Sequence, residues 1–111
     1  MSARSDAFLK MLERGQDSAL LRFGLGNEYL LQGDADNAVI HLRQATQLDP
    51  GYSAAWKQLG KALTAAGDRL AAIAAYEAGI AAASSKGDRQ AAKEMTVFLK
   101  RLQKEQRNGG A

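Results

Sequence analysis

LGNEYLLQGD, at residues 25–34, returns as LGKALTAAGD at residues 59–68, so the chain repeats itself with a period of 34 residues. The same period relates two further pairs of positions, Ala38 to Ala72 and Leu42 to Tyr76. A fixed period of this length is typical of stacked helix-turn-helix units, which bury a continuous core and leave an extended surface. The repeat therefore predicts a helical array that acts by binding rather than by catalysis.

The composition is that of a single globular domain spanning residues 1–111. Hydrophobic residues make up 46% and charged residues 24% of the 111, enough for one core but not for two. The chain has no cysteine, which excludes disulfides, thiolate metal sites and a cysteine nucleophile, and agrees with a reducing compartment. No apolar run is long enough for a signal peptide or a membrane span. We therefore expect a cytoplasmic protein.

Turn residues divide the chain into helices. Gly33, Gly67 and Gly87 are each followed by aspartate, a pair in which glycine ends one helix in the left-handed conformation and aspartate caps the next. Asp49-Pro50-Gly51 ends a further helix, and Ser53 is the expected N-cap of the helix after it. Between these turns the apolar residues follow the helical period, and no alternating strand pattern occurs. The pattern predicts an all-α protein.

These residues resemble the tetratricopeptide repeat (TPR) family, whose unit is a pair of antiparallel helices, A and B. The first unit would span residues 19–52 and the second residues 53–86. In the first, the family pattern falls on Leu25, Gly26, Tyr29, Ala38, Leu42, Ala45 and Pro50. In the second, it falls on Trp56, Leu59, Gly60, Leu63, Ala72, Tyr76 and Gly79. One departure is Arg22, which stands where the first unit would carry an aromatic residue such as Trp56.

The segments on either side continue the array. Subtracting the period from the first unit makes residues 5–14 a truncated B helix. Adding it to the second unit requires a shift of two residues, and then predicts a capping helix over residues 88–107 followed by a disordered tail, residues 108–111. The resemblance thus implies a right-handed superhelical stack of about six helices, close to the minimum length for a stable array.

The conspicuous side chains have structural interpretations. Trp56 is expected to pack between helix pairs, and His41, the single histidine, to lie on the surface. The aspartates at helix starts and turns, Asp34, Asp36, Asp49 and Asp68, are explained as caps rather than as catalytic or metal-binding groups. The sequence therefore predicts no catalytic, cofactor-binding or metal site, and a protein that is not an enzyme.

In this family the concave face is lined mainly by A helices, and the resemblance places the binding groove there. Counting along the A helices gives its residues: Leu20, Phe23, Asn27, Leu30, Ala54, Lys57, Lys61, Thr64, Gln90, Lys93, Val97 and Arg101. This mixture of apolar and basic side chains suits a partner segment with apolar anchors and acidic residues. Lys57 and Lys61, one turn apart, are the expected partners of an acidic side chain. The implied function is that of an adaptor or co-chaperone-like module.

Some TPR proteins clamp a terminal carboxylate with Lys, Asn, Asn, Lys and Arg. The corresponding positions here hold Phe23, Asn27, Gln58, Gln90 and Glu94. Only Asn27 matches, and Glu94 would repel a carboxylate, so this type of clamp is disfavoured.

Three alternatives stay open at this point. The final helix could fold across the groove and fill it. Lys86 to Arg107 carry seven of the basic residues against three acidic ones, so this segment could bind nucleic acid or an anionic surface. Finally, the uncovered end of the stack could pack against a second copy and give a homodimer.

Overall fold

The computed structural model describes residues 3–109, which form six α-helices and no strand. The helices are α1 (Ala3–Glu13), α2 (Ala19–Leu31), α3 (Ala35–Leu48), α4 (Ser53–Ala65), α5 (Arg69–Ser85) and α6 (Arg89–Gly109). In terms of the repeat, α2, α4 and α6 are A helices, and α1, α3 and α5 are B helices. No helix in this part of the chain is long and apolar enough to cross a membrane.

The helix boundaries follow the turn chemistry of the sequence. Asp34 and Asp68 accept hydrogen bonds from the amides of Asn37 and Ala71 and so cap α3 and α5. The glycine before each aspartate has a positive φ, 80° at Gly33 and 86° at Gly67, a conformation that L-residues rarely adopt. These two-residue turns reverse the chain sharply and bring each A helix against its B helix.

One predicted cap is wrong by a residue. Ser53 is the first residue of α4, and the N-cap is Tyr52, whose side chain makes no capping hydrogen bond. The Tyr52 ring instead lies against Phe23 of α2, with the ring centroids 4.9 Å apart. This aromatic contact between successive A helices occupies the place where a capping side chain was expected.

Small residues allow the paired helices to approach closely. At Gly60 of α4, an added Cβ would lie 2.5 Å from Cε1 and Cζ of Tyr76 on α5. Gly26 of α2 meets Leu42 of α3 in the same way. Leu42 and Tyr76 are themselves buried. Each repeat is therefore held by one bulky B-helix side chain seated on an A-helix glycine.

The helix α6 continues the stack as a third A helix. It packs against α5 and touches α4, and in the described part of the chain it does not approach α2 or α3. Met95, which is fully buried, lies against Gly79 of α5. The alternative in which the final helix folds across the groove and fills it is therefore wrong.

The flanking helices differ slightly from the predicted bounds. The first runs from Ala3 to Glu13 rather than over residues 5–14. The last extends to Gly109, so residues 108 and 109 are helical rather than part of a disordered tail, and residues 110–111 lie outside the described residues. α5 has 17 residues against 14 in α3, in agreement with extra residues before the third A helix.

Arg22 and His41 form a polar contact in the first repeat, where the sequence predicted a surface histidine. The His41 ring is half-buried and stacks on Tyr29, with centroids 5.5 Å apart. Arg22 Nη1 lies 3.0 Å from His41 Nδ1, and the same guanidinium holds both carboxylate oxygens of Asp17. A guanidinium can only donate, so Nδ1 accepts, as it does in a neutral ring. Arg22, which replaces the aromatic residue expected at this position, therefore has a structural role.

This environment predicts a pH dependence of stability. Burial, together with the Arg22 charge, lowers the pKa of His41, against a smaller opposing effect of Asp17. As pH falls, His41 is therefore protonated in the unfolded chain before it is protonated in the folded one. The stability contributed by the neutral ring is complete above the unfolded-state pKa of about 6.5 and is lost as pH falls through the lower folded-state pKa. We expect the free energy of unfolding, measured with urea, to fall between about pH 7.5 and pH 5.5.

The matched variant is His41→Phe, which keeps a ring on Tyr29 but cannot titrate. Its stability should vary less over the same pH interval. Hydrogen bonds with Arg22 and Lys57 lower the pKa values of Asp17 and Glu94, so the stability that these carboxylates contribute to the fold is lost at more acidic pH than this interval. An equal pH slope in wild type and variant would show that His41 is not the responsible group.

Candidate functional site

The A helices α2, α4 and α6 lie side by side, and polar side chains join them. Gln58 of α4 donates a hydrogen bond of 2.9 Å to Asn27 of α2. Lys57 of α4 forms an ion pair of 3.0 Å with Glu94 of α6, which also accepts a hydrogen bond from Gln90. We call this surface of the three A helices the groove. Its centre is a row of polar side chains that bond to one another.

A cavity of about 300 Å³ opens beside this row, between α4 and α6. Its lining combines cationic, aromatic and aliphatic side chains: Lys61, Thr64, Tyr76, Phe98, Arg101, Leu102 and Glu105. We call it the groove pocket. A volume of this size can accept one large side chain of a partner.

The floor of the groove pocket is aromatic. The Tyr76 and Phe98 rings are stacked with centroids 5.6 Å apart. Tyr76 is 1% exposed, and burial raises its pKa to about 12, although a hydrogen bond with Thr64 and the Arg101 charge act in the opposite direction. The phenol therefore stays neutral at physiological pH, and the floor carries no negative charge of its own.

Two cations stand over the exposed part of this floor. Lys61 Nζ lies 5.3 Å and Arg101 Cζ 5.8 Å from the centroid of the Phe98 ring, distances at which a cation is attracted to an aromatic face. Among the described residues, neither cation forms an ion pair within 4.0 Å. The groove pocket therefore offers an apolar surface next to two positive charges that form no ion pair, and the Glu105 carboxylate also lines it.

The structure leaves Lys61, but not Lys57, available to a ligand. The sequence paired Lys57 with Lys61, but the Lys57 ammonium is already engaged by Glu94. The hydrogen bond from Lys57 accordingly lowers the pKa of the Glu94 carboxyl. Arg101 takes the place of Lys57 as the neighbour of Lys61. Phe98, whose ring lies beneath both cations, was not among the groove residues predicted from the sequence.

The other end of the groove, on α2, is more apolar. Leu20 is 70% exposed, whereas Phe23 and Leu30 are half-buried and pack against the core. Asn27 lies between them, bonded to Gln58. Near the N-terminal ends of α4 and α6, Ala54 lines a small depression together with Lys57, Gln90 and Glu94. These predicted residues are placed on the A helices as expected, with Leu20 the most accessible.

Lys93 and Val97 require a correction. They line a separate shallow surface with Ile80 and Ser84 of α5, on the outer side of α6. The groove side of α6 is formed instead by Gln90, Glu94, Phe98 and Arg101, which follow one another at helical spacing. The predicted site is thus divided between two surfaces.

Within residues 3–109, no three or more His, Asp or Glu side chains come together in a way that could hold a metal ion. The aspartates that might have suggested such a site lie at helix ends: Asp34 and Asp68 cap helices, and Asp49 accepts a hydrogen bond from the Gly51 amide. The described side chains of the groove can interact with a ligand through apolar contacts and through charge.

Comparison with known proteins places this architecture in a family. A tetratricopeptide repeat family model matches residues 19–62. A TPR repeat-containing protein of Pseudomonas aeruginosa is 58% identical over 93 residues, which cover 84% of this chain and 89% of that protein. The chain belongs to the tetratricopeptide repeat family. The TPR fold is that of a protein-interaction module, and TPR proteins are generally non-catalytic.

Two solved structures share the arrangement of the six helices. The solution structure of a protein from Bordetella parapertussis is 49% identical, with a TM-score of 0.80 over 96% of this chain and 92% of that one. The crystal structure of the Sgt2 TPR domain from Aspergillus fumigatus is 29% identical, with a TM-score of 0.80 over 96% of this chain and 70% of that one. The TPR stack of this chain, including α1 and α6, is therefore similar to arrangements found by experiment.

Proposed function

We propose that this TPR protein is a non-catalytic adaptor that holds a segment of a partner protein in the groove. An acidic side chain of the segment would lie between Lys61 and Arg101, and an adjacent apolar side chain would enter the groove pocket against Phe98. The observation that carries this proposal is the pair of cations without carboxylate partners over one aromatic ring. No cofactor takes part, and the cysteine-free composition fits a cytoplasmic setting.

The energetics favour the apolar contact as the main source of affinity. Burying one large apolar side chain contributes about 2 kcal/mol. Lys61 and Arg101 are both exposed, so each ion pair with the ligand adds at most about 1 kcal/mol. The charges therefore act chiefly on specificity and on the rate of association, and the expected affinity is moderate.

The α2 end of the groove supplies a second contact. Leu20 is accessible to a second apolar residue of the same segment, and the Asn27 and Gln58 amides lie between the two apolar sites. Each amide has hydrogen-bonding capacity beyond their mutual bond. A segment lying along the groove would thus be held at two apolar positions with a polar stretch between them.

A selection from a random peptide display library on the immobilised protein tests this proposal. We expect the enriched peptides to share an acidic residue next to a bulky apolar one. The double substitution Lys61→Glu with Arg101→Glu should weaken binding of a selected peptide by at least about 30-fold, because attraction becomes repulsion at both positions.

The matched control is Lys10→Glu on α1 with Arg14→Glu in the turn that follows it, which makes the same change in net charge at exposed positions outside the groove. This variant should bind the selected peptide like the wild type, and circular dichroism should show both variants folded. Enriched peptides without acidic residues, or equal weakening by the two variants, would contradict the proposal.

A further inference from the structure

The outer side of α6 is a second surface whose shape and charge call for a partner. It is formed by α5 and α6 and lined by Ile80, Ser84, Arg89, Ala92, Lys93, Thr96 and Val97. We call it the end face. The earlier A helices α2 and α4 are each packed against a following B helix, α3 and α5. No described helix covers α6 in the same way.

The end face corresponds to a surface that is already used for helix packing elsewhere in the stack. The N-caps Tyr52 of α4 and Asp88 of α6 are 36 residues apart, and this spacing places Thr96 at the position of Gly60. Gly60 is where α4 receives Tyr76 of α5. The side of α6 around Thr96 is therefore the side on which an A helix accepts its B helix.

The end face has an apolar floor. Ile80 and Ala92 are half-buried, and Val97 is 56% exposed. The Thr96 hydroxyl donates 2.7 Å to the Ala92 carbonyl of its own helix, so its hydrogen-bonding group is occupied within α6. These side chains present apolar atoms to a partner over the length of about two helical turns.

The charges that α6 places next to this floor have one sign. Arg89, Lys93, Lys100 and Lys104 are exposed and lie within about a quarter turn of one another around the outer side of α6. The two acidic residues within α6 are elsewhere: Glu94 is paired with Lys57, and Glu105 lines the groove pocket. The outer side of α6 is thus purely basic, and its electrostatic complement is an acidic surface.

A bilayer and a nucleic acid fit these observations less well than a protein helix. The apolar residues with which α6 could enter a membrane, among them Met95 and Leu102, are buried against the rest of the stack. Its single aromatic residue, Phe98, faces the groove and not the basic side, so bases could not stack there. An amphipathic helix needs only the apolar floor and the basic rim that the end face provides.

We infer that the end face binds an acidic amphipathic helix of a partner protein, which lies along α6 as α5 lies along α4. Its apolar side contacts Ile80, Ala92 and Val97, and its glutamates or aspartates pair with Lys93 and Lys100. This surface is separate from the groove, so a partner could occupy both at once.

The test uses a synthetic helix-stapled peptide of about 18 residues with leucines on one side and glutamates flanking them. Its binding to the whole protein is followed by fluorescence anisotropy at about 50 mM salt, where exposed charges are little screened. We expect saturable binding and amide shifts at Ala92, Thr96 and Val97 in NMR spectra. Lys93→Glu with Lys100→Glu should weaken binding about tenfold.

The control is Lys61→Glu with Arg101→Glu, which should leave binding of the stapled helix unchanged even though it weakens binding of the groove peptide. This separates failure of the end face from failure of the groove. The inference would be overturned by no binding at about 1 mM peptide, a concentration far above the Kd of specific interfaces, or by equal binding of a sequence-scrambled glutamate peptide. Amide shifts in the groove instead of the end face would also overturn it. So would a homodimer, detected by light scattering, that Val97→Asp dissociates. Stronger binding of a short RNA or of anionic vesicles, lost in the Lys93→Glu, Lys100→Glu variant, would likewise reject a protein helix as the occupant.

Discussion

Replacing Gly60 with leucine is expected to destabilise the protein by about 3 kcal/mol or more. A Cβ at this position would lie 2.5 Å from two ring atoms of Tyr76, and Tyr76 is 1% exposed and stacked on Phe98. The ring therefore has little room to move. Leucine is a better helix former than glycine by about 0.8 kcal/mol, which is too small a gain to offset the overlap.

The control for this experiment is Ala65→Leu, a substitution at an exposed position at the end of the same helix. It should leave the midpoint of urea unfolding nearly unchanged. If Gly60→Leu also unfolded at the wild-type midpoint, α4 and α5 could not be in the close contact described above, and the position of the groove pocket, which lies over Tyr76, would have to be abandoned.

Truncating Met95 to alanine is expected to cost about 2–5 kcal/mol, the usual range for a fully buried methionine. Met95 is 0% exposed, and its sulfur lies 2.5 Å from where a Cβ on Gly79 would be. In a repeat stack each unit is stabilised by its neighbours, so the loss should fall mainly on α6 rather than evenly on the whole chain.

Hydrogen exchange measures this distribution. In the Met95→Ala variant, amides of α6 should exchange faster by a larger factor than amides of α2. Val97→Ala, two residues away on the same helix but 56% exposed, should have little effect on either. Uniformly faster exchange throughout the chain would mean that α6 does not unfold separately from the rest of the stack.

The fold was predictable because its determinants are local and repeated. The recurrence of Gly26 as Gly60 places the close helix contacts, and the Gly-Asp turns at residues 33–34 and 67–68 place the helix ends. These features act over a few residues, so they need no knowledge of the tertiary structure. Ser53 shows the limit of such rules, since a contact between Tyr52 and Phe23 accompanies a helix start without a side-chain cap.

The candidate site was predictable only in part, because it depends on how α6 is rotated. The buried residue Met95 fits a shift of two residues relative to α4. By the 36-residue spacing of the N-caps, Lys93 and Val97 correspond to Lys57 and Lys61, yet α6 meets these two lysines with Glu94 and Phe98. Neighbouring residues on a helix point about 100° apart, so Lys93 and Val97 lie on the end face and not in the groove.

The ion pairs were beyond the reach of sequence reasoning for a different reason. Lys57 and Glu94 come from separate repeats, and their pairing depends on the distance between α4 and α6. This pair removes Lys57 from the set of available cations and leaves Lys61 with Arg101. Phe98 was not among the predicted groove residues, and only the structure places part of its ring beneath two cations.

Amide chemical shifts of the isotope-labelled protein, recorded while a display-selected peptide is added, test the central claim most directly. If the segment binds in the groove, the largest shifts should occur at Lys61, Thr64, Phe98 and Arg101, with Ile80 and Ala92 unmoved. Shifts confined to Ile80, Ala92 and the rest of the end face, with the groove unchanged, would contradict the account.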